Sequence, residues 1–257
     1  CTGGEPWTEK PWIWLFQVIG KSKVPIMNSA GGTEVSGSIL HCCLHRPFKV
    51  GSFNAPIPGM SADILNLDGK KVSTNEMGEL VMRKSSIGLT KSLWNDDKRY
   101  IDNYWSIIKD YWVHGDLASR DADGHWYLHG RSDDTIKVSG KRIGPSELES
   151  VIVKSGKAKE VAAVGIPDEN KGSKIILSIV PAENNDQKES FFEDLVIKDL
   201  GKSFKPDKVI FVKDLPKTRN MKIMRRVIKS CLANQDPGDL STLLNPESVE
   251  EIRSHAI

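Results

Sequence analysis

The run at residues 111–143, YWVHGDLASRDADGHWYLHGRSDDTIKVSGKRI, constrains this chain more than any other stretch. Residues 113–118 and 126–129 are two β-prone runs. Between them lies Asp121-Ala122-Asp123-Gly124, an Asp/Gly turn of the kind that joins antiparallel strands. The chain leaves this hairpin through Gly130-Arg131-Ser132-Asp133-Asp134, a polar segment with little to pack. A new apolar–polar pattern begins beyond it. The expectation is a polar site on a hairpin, a short connector, and then a second domain.

At 257 residues the chain can build one large core or two ordinary ones. Its 36 Lys+Arg against 34 Asp+Glu leave a net charge of +2, which gives no ground to expect nucleic acid or a membrane as partner. The four cysteines (Cys1, Cys42, Cys43 and Cys231) show no metal-ligand spacing, so reduced thiols in a cytoplasmic protein are expected. No apolar run reaches the roughly 20 residues that span a bilayer, and no signal-peptide pattern occurs. The chain starts at Cys1, inside a motif, and is expected to be the C-terminal part of a longer protein.

Trp12, Leu15, Phe16 and Ile19 fall on one face of a helix. Residues 24–27 read as a short buried strand leading into Asn28-Ser29-Ala30-Gly31-Gly32-Thr33-Glu34. A strand end followed by a Gly-rich turn is where α/β folds bind ligands; by itself Gly31-Gly32 is also an ordinary loop. Residues 46–130 carry closely spaced turns and short strands, which predict a small barrel or distorted sheet, with loop and helix at 94–105. Beyond the connector, Gly144-Pro145-Ser146-Glu147 starts a helix. Strands are expected at 161–166 (stopped by Pro167), 174–180 and 209–212, with helices at 191–200 and 223–231. The fold class is mixed α/β, ending in a small α+β domain.

Four stretches carry a resemblance: CTGGEPW at the start, NSAGGTEVSG at 28–37, GDLASRDADGHWYLHGRSDDTIKVSGKRIGPSELES at 115–150, and LPKTRNMKIMRR at 215–226. Together they resemble the adenylate-forming acyl-CoA synthetases, in the acetyl-CoA synthetase-related branch. The resemblance implies the C-terminal part of the α/β nucleotide-binding core (1–45), a β-rich subdomain (46–130), a hinge (131–135) centred on Asp133, a small mobile α+β domain (136–235) and a tail (236–257). Gly4, Glu5 and Pro6 would line the adenine, and Asn28 would face its amino group. Ser29, Ala30, Gly31 and Gly32 would complete the nucleotide loop, and Thr33 would bond the α-phosphate. Glu34 would hold Mg²⁺, a hard cation that prefers carboxylate oxygen. Asp116 would accept from both ribose hydroxyls, a task for a group with two acceptors and no donor, and Arg131 would reach the ribose and phosphates. Ser139 and Gly140 would touch coenzyme A, with Arg142 on the nucleotide side. Lys222 would carry the first step, because an ammonium between carboxylate and phosphate offsets the repulsion of two anions. The implied reaction joins a carboxylate to ATP as acyl-AMP, then passes the acyl group to coenzyme A and releases AMP.

The chain also departs from the family. Acetyl-CoA synthetases have two tryptophans where Ala30 and Gly31 stand, so an acyl group longer than acetate is expected, each added methylene contributing about 0.8 kcal/mol on burial. Asn220-Met221 replaces the usual Ser-Gly before the lysine, which bears on the loop geometry. The family's Ser/Thr/Gly-rich phosphate loop is not in the sequence, and the isolated chain is expected to bind nucleotide poorly and catalyse little. Two other readings remain: an adenylating enzyme with a carrier-protein acceptor, and a non-catalytic nucleotide-binding relative. A lysine acetyltransferase and deacetylase acting on Lys222 are further expected partners, since acetylation removes the charge. The six histidines assemble no metal or Ser/His/Asp set, and the tail at 238–243 carries no chemistry of its own.

Overall fold

The structure, a computed structural model, describes every residue except 4–6, 8, 184 and 185. It is mixed α/β and divides into two compact units, Cys1–Asp133 and Asp134–Ile257. No helix among the described residues is long and apolar enough to cross a membrane.

The first unit opens with β1 (Thr2–Gly3) and α1 (Glu9–Trp14), which widens into a π turn at Leu15–Ile19 and buries Trp12. Next come β2 (Asn28–Gly32), a single 3-10 turn at Thr33–Val35, β3 (Gly37–His41) and β4 (Ala55–Pro56). These strands form one sheet in chain order, β1 parallel to β2 and the rest antiparallel. The strand expected at 24–27 is absent, and β2 occupies the segment expected to be a Gly-rich loop. The reason is close approach. A Cβ on Gly31 would lie 2.0 Å from the Gly37 carbonyl oxygen, so only glycine lets β3 close on this bulged strand.

A second sheet is an antiparallel meander of β5 (Ala62–Leu65), β6 (Gly78–Met82), β7 (Trp112–Arg120) and β8 (Trp126–Arg131), with the short helix α2 (Asp97–Tyr100) inserted before β7. The β7–β8 hairpin turns where the Asp/Gly sequence directs it. There Asp121 accepts the backbone N–H groups of Asp123 and His125, and Lys49 bridges Asp121 and Asp123 at 2.6 Å each. Leu40, Phe53, Leu80, Trp112 and Trp126 share one core, so residues on both sides of position 45 pack together.

The second unit begins with the hairpin β9 (Ile136–Val138) and β10 (Lys141–Ile143), followed by α3 (Pro145–Lys154). Glu147 accepts the Gly144 N–H at 3.1 Å, closing the first turn of α3. Strands β11 (Ala158–Asp168) and β12 (Gly172–Pro181) pair antiparallel; helix α4 (Glu189–Leu200) leads to β13 (Lys208–Phe211), which runs parallel to β12. Pro167 does not stop β11: it lies in an edge strand, where a missing N–H is tolerated. Alternate residues of the sheet enter different cores. Ile175, Leu177 and Ile179 meet α3 and α4, while Ile176 and Val180 meet α5 (Arg225–Leu232) and α6 (Glu247–Arg253). Both faces are therefore covered.

Candidate functional site

In the first unit, the turn after β2 and the start of β7 build one polar cluster. Glu34 leaves β2 through the 3-10 turn, and its Oε1 accepts the Tyr104 hydroxyl at 3.0 Å. The Tyr104 ring stacks on Trp112 with centroids 5.2 Å apart and planes within 3°. Burial, then the bond to Glu34, push the Tyr104 phenol up, so it remains a donor. A Cβ on Gly32 would sit 3.0 Å from Glu34 Oε2 and 3.3 Å from His114 Cε1, so this glycine keeps space open beside the carboxylate. His114 is buried, with Nε2 3.2 Å from Asp116 Oδ2 and no hydrogen-bond partner for Nδ1 among the described residues.

Arg131 closes the cluster from β8. It is the cross-strand partner of Asp116. Its guanidinium donates to the His114 carbonyl at 3.0 Å, lies 3.5 Å from Asp116 and reaches Asp133 at 3.1 Å. Burial works against the charge, but Asp133 and Asp116 outweigh it and raise the guanidinium pKa. Gly115 makes this packing possible: it has φ +83°, and a Cβ there would lie 2.6 Å from Arg131 Nη2.

The structure thus brings Gly32, Glu34, Asp116, Arg131 and Asp133 into one neighbourhood. Tyr104, His114 and Gly115 belong to it too, and sequence reasoning missed them. The GD pair of the motif offered a signal for Gly115; nothing local marked Tyr104. Thr33 is exposed beside Glu34. Asn28 is buried, and its amide donates to the Gly51 carbonyl at 3.4 Å. Ser29 bonds Ser38 across to β3, and Ala30 packs against the core. Gly31 faces the β3 backbone rather than open volume along its Cβ direction. Gly4, Glu5 and Pro6 lie outside the described residues. No group of three or more His, Cys, Asp or Glu among the described residues could hold a metal by itself. One carboxylate beside an open glycine does fit a Mg²⁺ that takes its other ligands from phosphates and water.

In the second unit Ser139 (φ +49°) and Gly140 (φ +80°) form the exposed two-residue turn between β9 and β10. Ser139 donates its N–H to Lys171 and lines an open depression of about 460 Å³ with Lys171, Lys202 and Lys205. Arg142 is exposed on β10, opposite Lys137. Lys222 stands on a separate loop before α5. It is exposed, and no partner for its ammonium occurs among the described residues.

The family model for AMP-binding enzymes matches residues 1–94, and that for the AMP-binding enzyme C-terminal domain matches residues 147–222. The acetyl-coenzyme A synthetase of Methanothrix thermoacetophila is 38% identical over 256 residues, covering 97% of this chain and 39% of that protein. That of Helicobacter pylori strain P12 is also 38% identical, covering 98% of this chain and 40% of its own length. The chain therefore spans about two fifths of the curated relatives it matches. Among solved structures, acetoacetyl-CoA synthetase from Streptomyces lividans superposes with a TM-score of 0.83 at 22% identity, over 98% of this chain and 40% of that one. The anthranilate CoA ligase AuaEII superposes with a TM-score of 0.72 at 26% identity, over 87% and 42%. With both family models matched in order and these relatives aligned along nearly its whole length, the chain belongs to the AMP-binding, adenylate-forming enzyme family, in the branch related to acetyl-CoA synthetases.

Proposed function

We propose that this chain supplies nucleotide-holding and domain-swing parts of an ATP-dependent acyl-CoA synthetase. The observation that carries the reading is the cluster of Glu34, Tyr104, His114, Asp116 and Arg131 beside the open Gly32. In the first half-reaction a carboxylate oxygen attacks the α-phosphorus of ATP, and the bond to pyrophosphate breaks. In the second, the coenzyme A sulfur attacks the acyl carbon and AMP leaves. Asp116 accepts from the ribose hydroxyls, Arg131 keeps that carboxylate oriented, and Thr33 bonds the α-phosphate. Glu34, aligned by Tyr104, holds a Mg²⁺ that neutralises phosphate charge when bound with the nucleotide. Lys222 bridges the two anions as they meet. Ser139 and Gly140 contact coenzyme A after a swing about Asp133, and Arg142 reaches the nucleotide side.

An acyl group longer than acetate is what the resemblance implies at positions 30 and 31; the geometry of this unit adds no support, since Ala30 packs against the core and the Cβ direction of Gly31 meets the β3 backbone. The acetyl-CoA synthetase relatives make acetate the competing substrate. The unpaired cysteines suit a reducing compartment, and the cytoplasm is proposed as the place of work. Exposed Lys222 is within reach of a lysine acetyltransferase; mass spectrometry of the native protein checks for the modified residue.

The test is carboxylate-dependent ATP–pyrophosphate exchange by the full-length enzyme, with acids from acetate to medium chain. Exchange peaking above acetate is expected. Lys222→Ala is expected to lower it about a hundredfold or more, while transfer from supplied acyl-AMP to coenzyme A continues. Best exchange with acetate would remove the longer acyl group, and no exchange with any acid would overturn the proposal.

A further inference from the structure

The loop that presents Lys222 is a tight hairpin. Thr218 donates its N–H to the Lys222 carbonyl at 2.9 Å, and the Lys222 N–H returns to Thr218 Oγ1 at 3.2 Å. Lys217 bridges Ile223 as an antiparallel partner, and Met224 N–H reaches the Pro216 carbonyl at 2.8 Å. Such a hairpin has two edges. One of them is covered by the chain's tail: Leu243 bridges Thr218, and the Leu244 N–H donates to the Lys217 carbonyl at 2.8 Å.

Asn245 locks this third strand in place. Its Oδ1 accepts the Lys217 N–H at 3.0 Å, and its amide donates to the Leu215 carbonyl and to Asp214 Oδ2, each at 2.8 Å. The Lys217 side chain, only 7% exposed, lies 2.6 Å from both Asp214 and Glu160. Burial pulls its pKa down, and the bonds to those two carboxylates more than offset the pull. Ser248 Oγ then donates to the Asn245 carbonyl at 2.6 Å, tying the lock to α6. Arg226, just beyond the loop, donates to the carbonyls of Pro237 and Asp239, earlier in the tail. These contacts lead to the tail, to Asp214 and to Glu160 of β11, and among the described residues none involves the Lys222 ammonium.

We propose that the tail, through Asn245 and its bonds to Lys217, Leu215 and Asp214, is a positioning element that holds the Lys222 loop for adenylation. This rests on the assignment of Lys222 to the first half-reaction. Asn245 touches no reacting atom; it acts by fixing the backbone from which Lys222 extends. A displacement of about 1 Å in such a group costs about a hundredfold in rate.

The experiment uses the intact enzyme carrying Asn245→Ala, and Asn245→Asp as a variant that keeps the volume but sets an oxygen against Asp214. ATP–pyrophosphate exchange is expected to fall between about tenfold and a hundredfold, and amide exchange at Thr218, Met221 and Lys222 to quicken. Transfer from supplied acyl-AMP to coenzyme A is expected to stay unchanged. Equal loss of both half-reactions would mean general damage to the domain and overturn the positioning role. Lys222→Ala is run alongside. If it abolishes adenylation while both Asn245 variants match the parent, the clamp is overturned and the role of Lys222 stands. If Lys222→Ala adenylates at the parent rate, the role of Lys222 falls, and the clamp proposal with it.

Discussion

Met221 holds φ +63°, a conformation that costs a residue with a Cβ about 1 kcal/mol. The turn closes nonetheless, with the Met221 N–H on the Thr218 carbonyl at 2.8 Å. The side chain is 59% exposed, so it recovers little through packing. Met221→Gly is therefore expected to stabilise the second unit, by up to about 1 kcal/mol once glycine's greater freedom in the unfolded chain is counted. Urea unfolding followed by far-UV circular dichroism measures it; a lower midpoint would refute the strain argument. The sequence raised a doubt about this loop from the loss of Gly, and the structure locates a backbone strain at Met221. Gly115 shows the reverse case. Its neighbour Asp116 was legible from the motif, but the need for a bare Cα arises from Arg131, sixteen residues away, and only the fold brings the two together.

Among the elements, the β7–β8 hairpin was the most legible, because its turn chemistry is local. Asp121 accepts two backbone N–H groups at the turn and pairs with Lys49. Burial pulls its pKa up, but Lys49 and the His125 N–H outweigh this and hold it at about 2, below the ordinary 3.8. A depressed folded-state pKa means the contribution to stability is complete above the unfolded value and disappears as pH falls through about 2. A carboxyl NMR titration is expected to find that midpoint, and Lys49→Ala to return it toward 3.8; a midpoint unmoved by the substitution would remove Lys49 as a cause. Strand β2 was less legible. Its small residues read as a loop because their strand character comes from the close approach of β3, a tertiary demand that sets aside local propensity. The tail helix α6, seven residues long, was too short for periodicity to reveal, although Val249 and Ile252 bury one face.

For the molecule as a whole, the division at Asp133 separates two optical reporters. All seven tryptophans and all four tyrosines lie before residue 134. The second unit is held partly by Glu149, which pairs with Arg225 at 2.8 Å and accepts the Ala163 N–H, joining α3, α5 and β11. Both side chains are mostly buried, so Glu149→Ala leaves a charge without its partner and is expected to cost about 3–5 kcal/mol. The far-UV transition of the second unit should move to lower urea while tryptophan fluorescence stays in place; a shared shift would show that the units unfold together. Of the basic residues in this stretch, Lys217, Arg225 and Arg226 pair within the second unit, while Lys222 and Arg219 are exposed. One anchor of this stretch arrives late in time as well as in sequence. Asn245 follows Lys217 by 28 residues, so a ribosome adding about 5–20 residues per second finishes the loop seconds before its third strand. A nascent chain thus passes through an interval in which the lysine exists but its support does not, and a transcript stopped near residue 240 would make that interval permanent.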